Sequence, residues 1–152
     1  MSTDDSRIRR APELAREQGL AVTITTGDID GAHPNTAILE LTGEKGGTCR
    51  VVGASIGGGN IIVTNINGLE VQFTGQYNTL IVLHQDTPGV IAAVTNTMAY
   101  SGANIGNFRL SRPQKGGEAV MTIEVDGDVS DKMISWLREL PHITGVVLVR
   151  AI

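Results

Sequence analysis

Residues 80–106 constrain the fold of this 152-residue chain more than any other stretch. They open with an unbroken apolar run at residues 80–83, which has the length of a buried strand. Asp86-Thr87-Pro88-Gly89 follows with turn chemistry, and apolar residues then recur at helical spacing until Gly102, a residue type at which helices commonly end. The stretch therefore predicts a strand, a sharp turn, a helix over residues 88–101 and the start of a second strand.

The same alternation of strand and helix patterns continues to residue 151. Strands are predicted at residues 79–84, 104–111, 118–125 and 146–150. A second helix is predicted from an N-cap at Ser130 to about Leu140. The order βαββαβ is typical of the ferredoxin-like fold, in which both helices cover one face of a four-stranded antiparallel sheet. The predicted fold class is therefore α+β.

The first half of the chain has shorter strand patterns separated by glycine-rich turns. A helix at residues 4–18, kinked by Pro12 or beginning near it, ends at Gly19. Strands are then predicted at residues 20–26, 36–42, 48–56, 60–66 and 69–74, with Asn67-Gly68 as a strong hairpin signal. Residues 75–78 resemble a linker. We therefore predict two domains, residues 1–75 and residues 79–152.

Composition excludes several classes of function. A formal net charge of −4 without a basic cluster argues against a nucleic-acid surface. The N-terminus is polar, and no apolar run reaches the roughly 18 residues of a membrane span. Cys49, the only cysteine, cannot form an internal disulfide, which fits a reducing cytoplasm. We expect a cytoplasmic protein that binds neither nucleic acid nor membrane.

The turn after residue 83 carries the one polar constellation that suits a ligand. With Pro88 at the first helical position, capped by Thr87 or Asp86, the amides of Gly89 and Val90 lie at a helix N-terminus and favour a carboxylate. Asp86 suits an ammonium group, and His84 suits a polar side chain. Asn104, after the helix, adds an amide. These parts match an α-amino acid, although a capped helix start that binds nothing has the same pattern.

No other motif indicates chemistry of its own. Consecutive glycines at residues 57–59 suit an anion-binding nest, but the P-loop lysine and helix are missing, so a bulge or tight connection is favoured. His33, His84 and His142 lack metal-ligand spacing. The serines have no recognisable base arrangement beside them. The sequence therefore predicts no metal site and no catalytic residue.

Residues 79–151 resemble an ACT domain, a small module that binds amino acids. The resemblance rests on the turn at residues 84–90 and on Gly102-Ala103-Asn104-Ile105. Residues 7–75 resemble the later part of the β chain of iron–sulfur L-serine dehydratase, through residues 33–37, the segment at 52–59 and Asn67-Gly68. Residues 111–112, 115–116 and 121–126 continue this resemblance.

The resemblance implies a regulatory subunit that is not catalytic alone. In that family a separate α chain or domain holds a 4Fe-4S cluster and converts L-serine to pyruvate and ammonia, so no cofactor is expected in this chain. The implied effector is L-serine or a related amino acid, bound by the residues His84, Asp86, Pro88, Gly89, Val90, Asn104 and Ile105. The implied partners are the catalytic α chain and a second copy of the ACT domain.

Two further expectations accompany the resemblance. The family's β chain begins with a Ser-Ser-His-Thr-type segment and a Gly-rich stretch that this sequence lacks, so the chain resembles an N-terminally shortened form or a fragment. Phosphoglycerate dehydrogenase carries a similar pair of domains, which leaves an amino-acid sensor of another enzyme, or a stand-alone sensor, as the alternative. The segments at residues 33–37 and 56–59 favour the dehydratase.

Overall fold

A computed structural model describes residues 5–151 and divides the chain into two compact units, one ending at Gly31 and the other beginning at Ala32. The predicted helix start at residue 4 and the outer ends of the two predicted domains lie outside the described residues. The predicted boundary at residues 75–79 stays a prediction. None of the helices in residues 5–151 is long and apolar enough to cross a membrane.

The first unit holds a short 3₁₀-helix, Ser6–Arg10, followed by α1, Ala11–Glu17. Pro12 lies in the first turn of α1, where its missing N–H costs no helical hydrogen bond, so the helix begins near the proline as predicted. Gly19, at φ +79°, follows the helix.

The strand predicted at residues 20–26 is wrong, because this stretch of the described chain has no regular secondary structure and pairs with no strand. Leu20, Val22 and Ile24 are 61%, 52% and 77% exposed. Alternating apolar residues stabilise a strand only when one face is buried, and these side chains have no such face.

The second unit begins with a four-stranded antiparallel sheet. Its strands are β1, Thr36–Thr42; β2, Thr48–Gly57; β3, Asn60–Ile66; and β4, Leu69–Phe73, each paired with the next. Asn67 and Gly68 both have positive φ, at +52° and +85°, as a two-residue hairpin turn requires. The glycines at residues 57–59 form the preceding turn, where the register shifts, which confirms the predicted tight connection.

The ACT-like part contains a second antiparallel sheet and two helices. In chain order these are β5, Asn78–Gln85; α2, Val90–Tyr100; β6, Asn104–Ser111; β7, Glu118–Asp126; α3, Asp131–Glu139; and β8, Ile143–Val149. The sheet order is β6-β7-β5-β8. This order confirms the predicted βαββαβ ferredoxin-like arrangement and the α+β class.

One face of this sheet forms the main core with α2 and α3. The fully buried members of the core include Leu80, Val82, Val94, Met98, Met121, Ile123 and Leu137. Each such side chain contributes about 1.5–3 kcal/mol by leaving water. Ser130 caps α3 as predicted, since its side chain accepts a hydrogen bond of 3.2 Å from the Met133 amide.

The other face of the same sheet packs against the first sheet. Val71 and Phe73 of β4 form a buried cluster with Ile81 of β5 and Val120 of β7. Residues 119–125 of β7 are consequently all buried. The sequence pattern predicted a single buried face carrying Ala119, Met121, Ile123 and Val125. The second face is buried because it, too, meets apolar side chains.

Candidate functional site

The turn between β5 and α2, residues 84–90, is called the Asp86 turn below. Asp86 Oδ2 accepts hydrogen bonds from Arg112 Nη1 at 2.6 Å and from the Gly116 amide at 3.0 Å. The Asp86 amide in turn donates to the Gly117 carbonyl at 2.8 Å. The Gln85 side chain also donates to the Gly116 carbonyl. These bonds fasten the Asp86 turn to the loop between β6 and β7.

The same contacts fix the charge of Asp86. The Gly116 amide first, and then the Arg112 guanidinium, hold the pKa of the Asp86 carboxyl below its ordinary value. The carboxylate is therefore ionised at neutral pH. Its side chain keeps 18% of its surface exposed, so a ligand can still reach it.

The start of α2 differs from the prediction. Pro88 is not the first helical residue, and neither Thr87 nor Asp86 caps the helix; α2 begins at Val90 after Gly89, whose φ is +91° and which offers no side-chain cap. The cap prediction is wrong because the Asp86 carboxylate bonds to the β6–β7 loop instead.

The helix N-terminus still presents backbone donors. The Val90 amide donates to the Thr87 carbonyl at 3.4 Å, which is long for a hydrogen bond. The first bond of α2 runs from the Ala93 amide to the Gly89 carbonyl at 2.9 Å. Among the described residues the Gly89 amide has no backbone partner. This end of the helix therefore retains donors that suit an anion.

His84 is buried at the end of β5, with 2% of its surface exposed. Its Nδ1 lies 2.9 Å from the Gln85 carbonyl oxygen, which can only accept, so we assign the proton of the neutral ring to Nδ1. Nε2 is then an acceptor, and it is buried without a hydrogen-bond partner among the described residues. A buried acceptor without a donor costs free energy, which a donor from a ligand would recover.

The structure does not bring all predicted site residues together within one chain. His84, Asp86, Pro88, Gly89 and Val90 lie at the end of the sheet where Gln85 pairs with Glu118. Asn104 and Ile105 lie at the opposite end.

The two groups are far apart. Asn104 pairs with Asp126, and its side chain donates to the Asp126 carboxylate at 2.6 Å. Ile105 packs against the main core. At about 3.3 Å per residue along β7, the eight steps from Glu118 to Asp126 separate the two ends by about 26 Å.

Sequence reasoning missed Arg112 and Gly116 as members of the site. Residues 111–112 and 115–116 entered the sequence analysis only through the family resemblance. The one available signal was the register: if β5 and β7 pair from Gln85 with Glu118, the residues just before β7 must lie beside Asp86. Within residues 5–151, no three His, Cys, Asp or Glu side chains are grouped to hold a metal ion.

The chain is similar in sequence to one family of domains and to several known proteins. Residues 80–145 match the family described as the AHAS small subunit-like ACT domain. The chain is 38% identical over 144 residues to a protein named probable L-serine dehydratase, beta chain, of Bacillus subtilis, covering 95% of this chain and 65% of that protein. It is 32% identical to the L-serine dehydratase beta chain of Peptoniphilus asaccharolyticus, covering 87% of this chain and 60% of the relative.

A second group of relatives is more distant. The chain is 28% identical to D-3-phosphoglycerate dehydrogenase of Bacillus subtilis over 90% of its own length, but it spans only 26% of that enzyme. It spans less than two thirds of both dehydratase β chains as well. The resemblance found in the sequence is confirmed: over most of its length the chain is similar to L-serine dehydratase β chains, and residues 80–145 match an ACT-domain family.

Proposed function

We propose that this chain is the regulatory β subunit of an L-serine dehydratase and binds an amino-acid effector at the Asp86 turn. The observation that carries the proposal is His84 Nε2, which is buried and has no hydrogen-bond partner in residues 5–151. His84 lies two residues from an ionised Asp86 and is close in sequence to the start of α2. An acceptor, a carboxylate and free helix amides are the complement of a hydroxylated α-amino acid. The similarity to dehydratase β chains makes L-serine the leading candidate.

Each group has one role in this proposal. His84 Nε2 accepts a hydrogen bond from the serine hydroxyl or ammonium, because the ring's own N–H is already used at Nδ1. Asp86 takes the ammonium through Oδ1, since Arg112 and Gly116 both bond to Oδ2. The Gly89 amide and the α2 dipole take the carboxylate. Arg112 then keeps Asp86 charged without blocking it.

A second copy of the chain completes this site. β6 is an edge strand, and edge strands leave unpaired backbone groups that favour pairing with another chain. Two β6 strands paired antiparallel about a two-fold axis place the Asn104 end of one beside the Ser111 end of the other. Ser111 leads directly to Arg112, so Asn104 and Ile105 of one copy approach the Asp86 turn of its partner.

Sedimentation checks the predicted dimer. We expect the purified chain to sediment as a dimer at micromolar concentration, and Gly106→Pro, at an exposed position of β6, to shift it toward monomer by disturbing the edge strand. Tyr77→Ala, which changes an exposed residue outside β6, is the control and should leave the dimer intact. A monomeric wild-type chain would contradict the proposed assembly.

Calorimetry tests the effector site. Replacing the charged acceptor in Asp86→Ala should weaken L-serine binding by about 1.5–3 kcal/mol through loss of a charged hydrogen bond. Glu44→Ala removes an exposed carboxylate from the β1–β2 hairpin and should leave the affinity unchanged. Equal affinity of wild type and Asp86→Ala would show that the Asp86 turn is structural only.

The reaction itself is assigned to a partner. A 4Fe-4S cluster needs several thiolate ligands, and Cys49 alone does not fit that requirement. We expect the purified chain, treated anaerobically with iron and sulfide, to stay colourless and to form no pyruvate from L-serine. Adding a cysteine-bearing α chain should restore turnover. Pyruvate formation by this chain alone, above a boiled control, would overturn the assignment.

The alternative function is amino-acid sensing for a phosphoglycerate dehydrogenase, favoured by the similarity that covers 90% of this chain. The protein with which the chain associates distinguishes the two functions. A regulatory subunit of the dehydratase co-purifies with a cysteine-bearing α chain, and the gene beside its own encodes cluster-type cysteines. A sensor of the dehydrogenase would instead associate with a nicotinamide-binding chain.

A further inference from the structure

A polar groove lies between the two sheets of the second unit, on the face opposite the helices. The cavity has a volume of about 270 Å³ and is lined by residues of β3, β4, β6 and β7 and by the residue after β4. We call it the intersheet groove and define it by its polar residues Gln72, Thr74, Asn107, Arg109 and Glu124. None of them belongs to the Asp86 turn.

Glu124 is the unusual member of the intersheet groove. Only 7% of its surface is exposed, although glutamate is almost never buried unless it is paired. Its carboxylate accepts from Asn107 Nδ2 at 3.0 Å and from the Thr74 amide at 3.4 Å, both neutral donors. No basic side chain of the described residues forms an ion pair with it. A buried carboxylate with two neutral donors favours a cationic partner.

Arg109 supplies a cation at the other end of the same groove. Its guanidinium bonds to Gln72 and, at 2.5 Å, to Glu70, and its side chain is 41% exposed. A guanidinium has five N–H donors, so these two bonds leave donors for a ligand. Arg109 and Glu124 are held at a fixed separation by the paired strands β6 and β7.

The register sets that separation. Asn107 pairs with Glu124 and Arg109 pairs with Thr122, so Arg109 and Glu124 are diagonal neighbours on one face of the sheet. Diagonal neighbours have Cα atoms about 7–8 Å apart, which leaves room for a small molecule between the two side-chain ends. A carboxylate and a guanidinium at this spacing complement the ammonium and the carboxylate of one zwitterion.

We propose that the intersheet groove is a second amino-acid site, which binds a small α-amino acid with its ammonium on Glu124 and its carboxylate on Arg109. The volume lies just below the roughly 300–1,000 Å³ typical of ligand pockets, which selects a small side chain. Gln72 and Asn107 provide amides for a polar side chain. Because β4 and β6–β7 both contribute, the ligand joins the two sheets.

The site is separate from the Asp86 turn in position and chemistry. Glu124 pairs across the sheet with Thr79, next to Ile81, on the face that meets the first sheet. His84 lies on the alternate face with Leu80 and Val82, toward the helices. The two sites can therefore be removed one at a time.

Calorimetry on the full chain with L-serine, L-alanine and glycine tests the proposal. We expect two sites per chain in the wild type and one in Glu124→Gln, which keeps the size of the side chain and removes its charge. Asp86→Ala should retain the groove site, and Glu44→Gln should behave as the wild type.

Two further measurements separate the groove from a structural role. Ethanolamine lacks the carboxylate and L-lactate lacks the ammonium, so each should bind the groove at least about tenfold more weakly than L-serine. In Arg109→Gln, a substitution at the partly exposed rim, the groove should bind L-serine no more tightly than ethanolamine. It should still bind L-serine more tightly than L-lactate. This variant provides the test if Glu124→Gln does not fold.

The outcomes distinguish this proposal from the proposed function. Binding lost in Asp86→Ala but unchanged in Glu124→Gln and Arg109→Gln overturns the groove site and leaves the effector site intact. Binding lost in Glu124→Gln or Arg109→Gln but unchanged in Asp86→Ala supports the groove and overturns the Asp86 turn. Absence of binding of all three amino acids to the wild-type chain overturns the groove.

Discussion

At the scale of single residues, the charge of Asp86 links the site to stability. The Gly116 amide and Arg112 lower the pKa of Asp86 in the folded chain below its unfolded value. The carboxylate therefore stabilises the fold fully above the unfolded pKa of about 3.9, and this contribution is lost as the pH falls through the lower, folded pKa.

The direction of this pKa shift gives a prediction for Asp86→Asn. Urea unfolding at neutral pH should show the wild type to be more stable than the variant, and the difference should shrink steadily below about pH 4. Glu44→Gln, at an exposed hairpin position, is the control and should show no such pH-dependent difference. A difference that stays constant down to pH 2 would mean that Asp86 gains nothing from its folded partners.

The sequence predicted which residues lie in the Asp86 turn but not how they bond. Asp86 was assigned either a cap or a ligand contact, and the structure gives it Arg112, which is 26 positions away. The burial of His84 could not be predicted either, because the sequence pattern does not show which face of the sheet a histidine at a strand end occupies. Both facts depend on register, which appears only when strands pair.

At the scale of elements, Gly53 in β2 marks how closely β2 and β3 approach. A Cβ added there would lie 3.0 Å from the Ile62 carbonyl oxygen, a backbone atom that cannot rotate away. Gly53→Ala should therefore lower the free energy of unfolding by about 1–3 kcal/mol through overpacking. Urea titration measures this value.

Gly47→Ala is the matched control for Gly53→Ala. Gly47 lies just before β2, and an added Cβ would meet nothing within 4 Å. Its substitution should change the free energy of unfolding by no more than about 0.5 kcal/mol. Similar losses in both variants would show that backbone freedom, and not close approach, determines the glycine at position 53.

Elements bounded by strong turn signals were predicted well. Asn67-Gly68 and the glycines at residues 57–59 require backbone conformations that other residues avoid, so the strands between them are confirmed nearly to the residue. The strand predicted at residues 20–26 does not form, because its apolar residues alternate but no other strand of the described chain pairs with it. α2 begins at Val90 and not at Pro88, and the Asp86 carboxylate, one of the two predicted caps, bonds to Arg112 instead.

At the scale of the whole molecule, Phe73 tests how the two sheets of the second unit are coupled. It is 5% exposed and packs with Val71, Ile81 and Val120. Phe73→Ala should destabilise by about 3–5 kcal/mol, and this loss should fall on the contact between the sheets. Scanning calorimetry should show one transition for residues 32–151 in the wild type and two in the variant.

Met98→Ala provides the comparison, since Met98 is fully buried in the other core, between α2 and the sheet. It should cost about 2–5 kcal/mol and leave a single transition. If Phe73→Ala also unfolds in one step, contacts other than this cluster hold the sheets together.

The contact between the sheets was not predicted, and the reason lies in β7. Ala119, Met121, Ile123 and Val125 indicated one buried face, while Val120 and Thr122 on the other face include a polar residue and are followed by Glu124. From the sequence alone, such a face looks exposed to solvent. It is buried because Val71 and Phe73, about 50 positions earlier, present a matching apolar surface.

The side chains of β5 point alternately to the two faces of the sheet, and this also limits how the protein can evolve. Leu80, Val82 and His84 face the helices, while Ile81 on the reverse side belongs to the cluster that joins the sheets. In the proposed effector site, a mutation that shifts the strand to accommodate a new effector would also disturb the contact behind it. The specificity of the proposed site would therefore be freer to evolve through the loop residues 86–89 and 112–117, which can change without moving the strand.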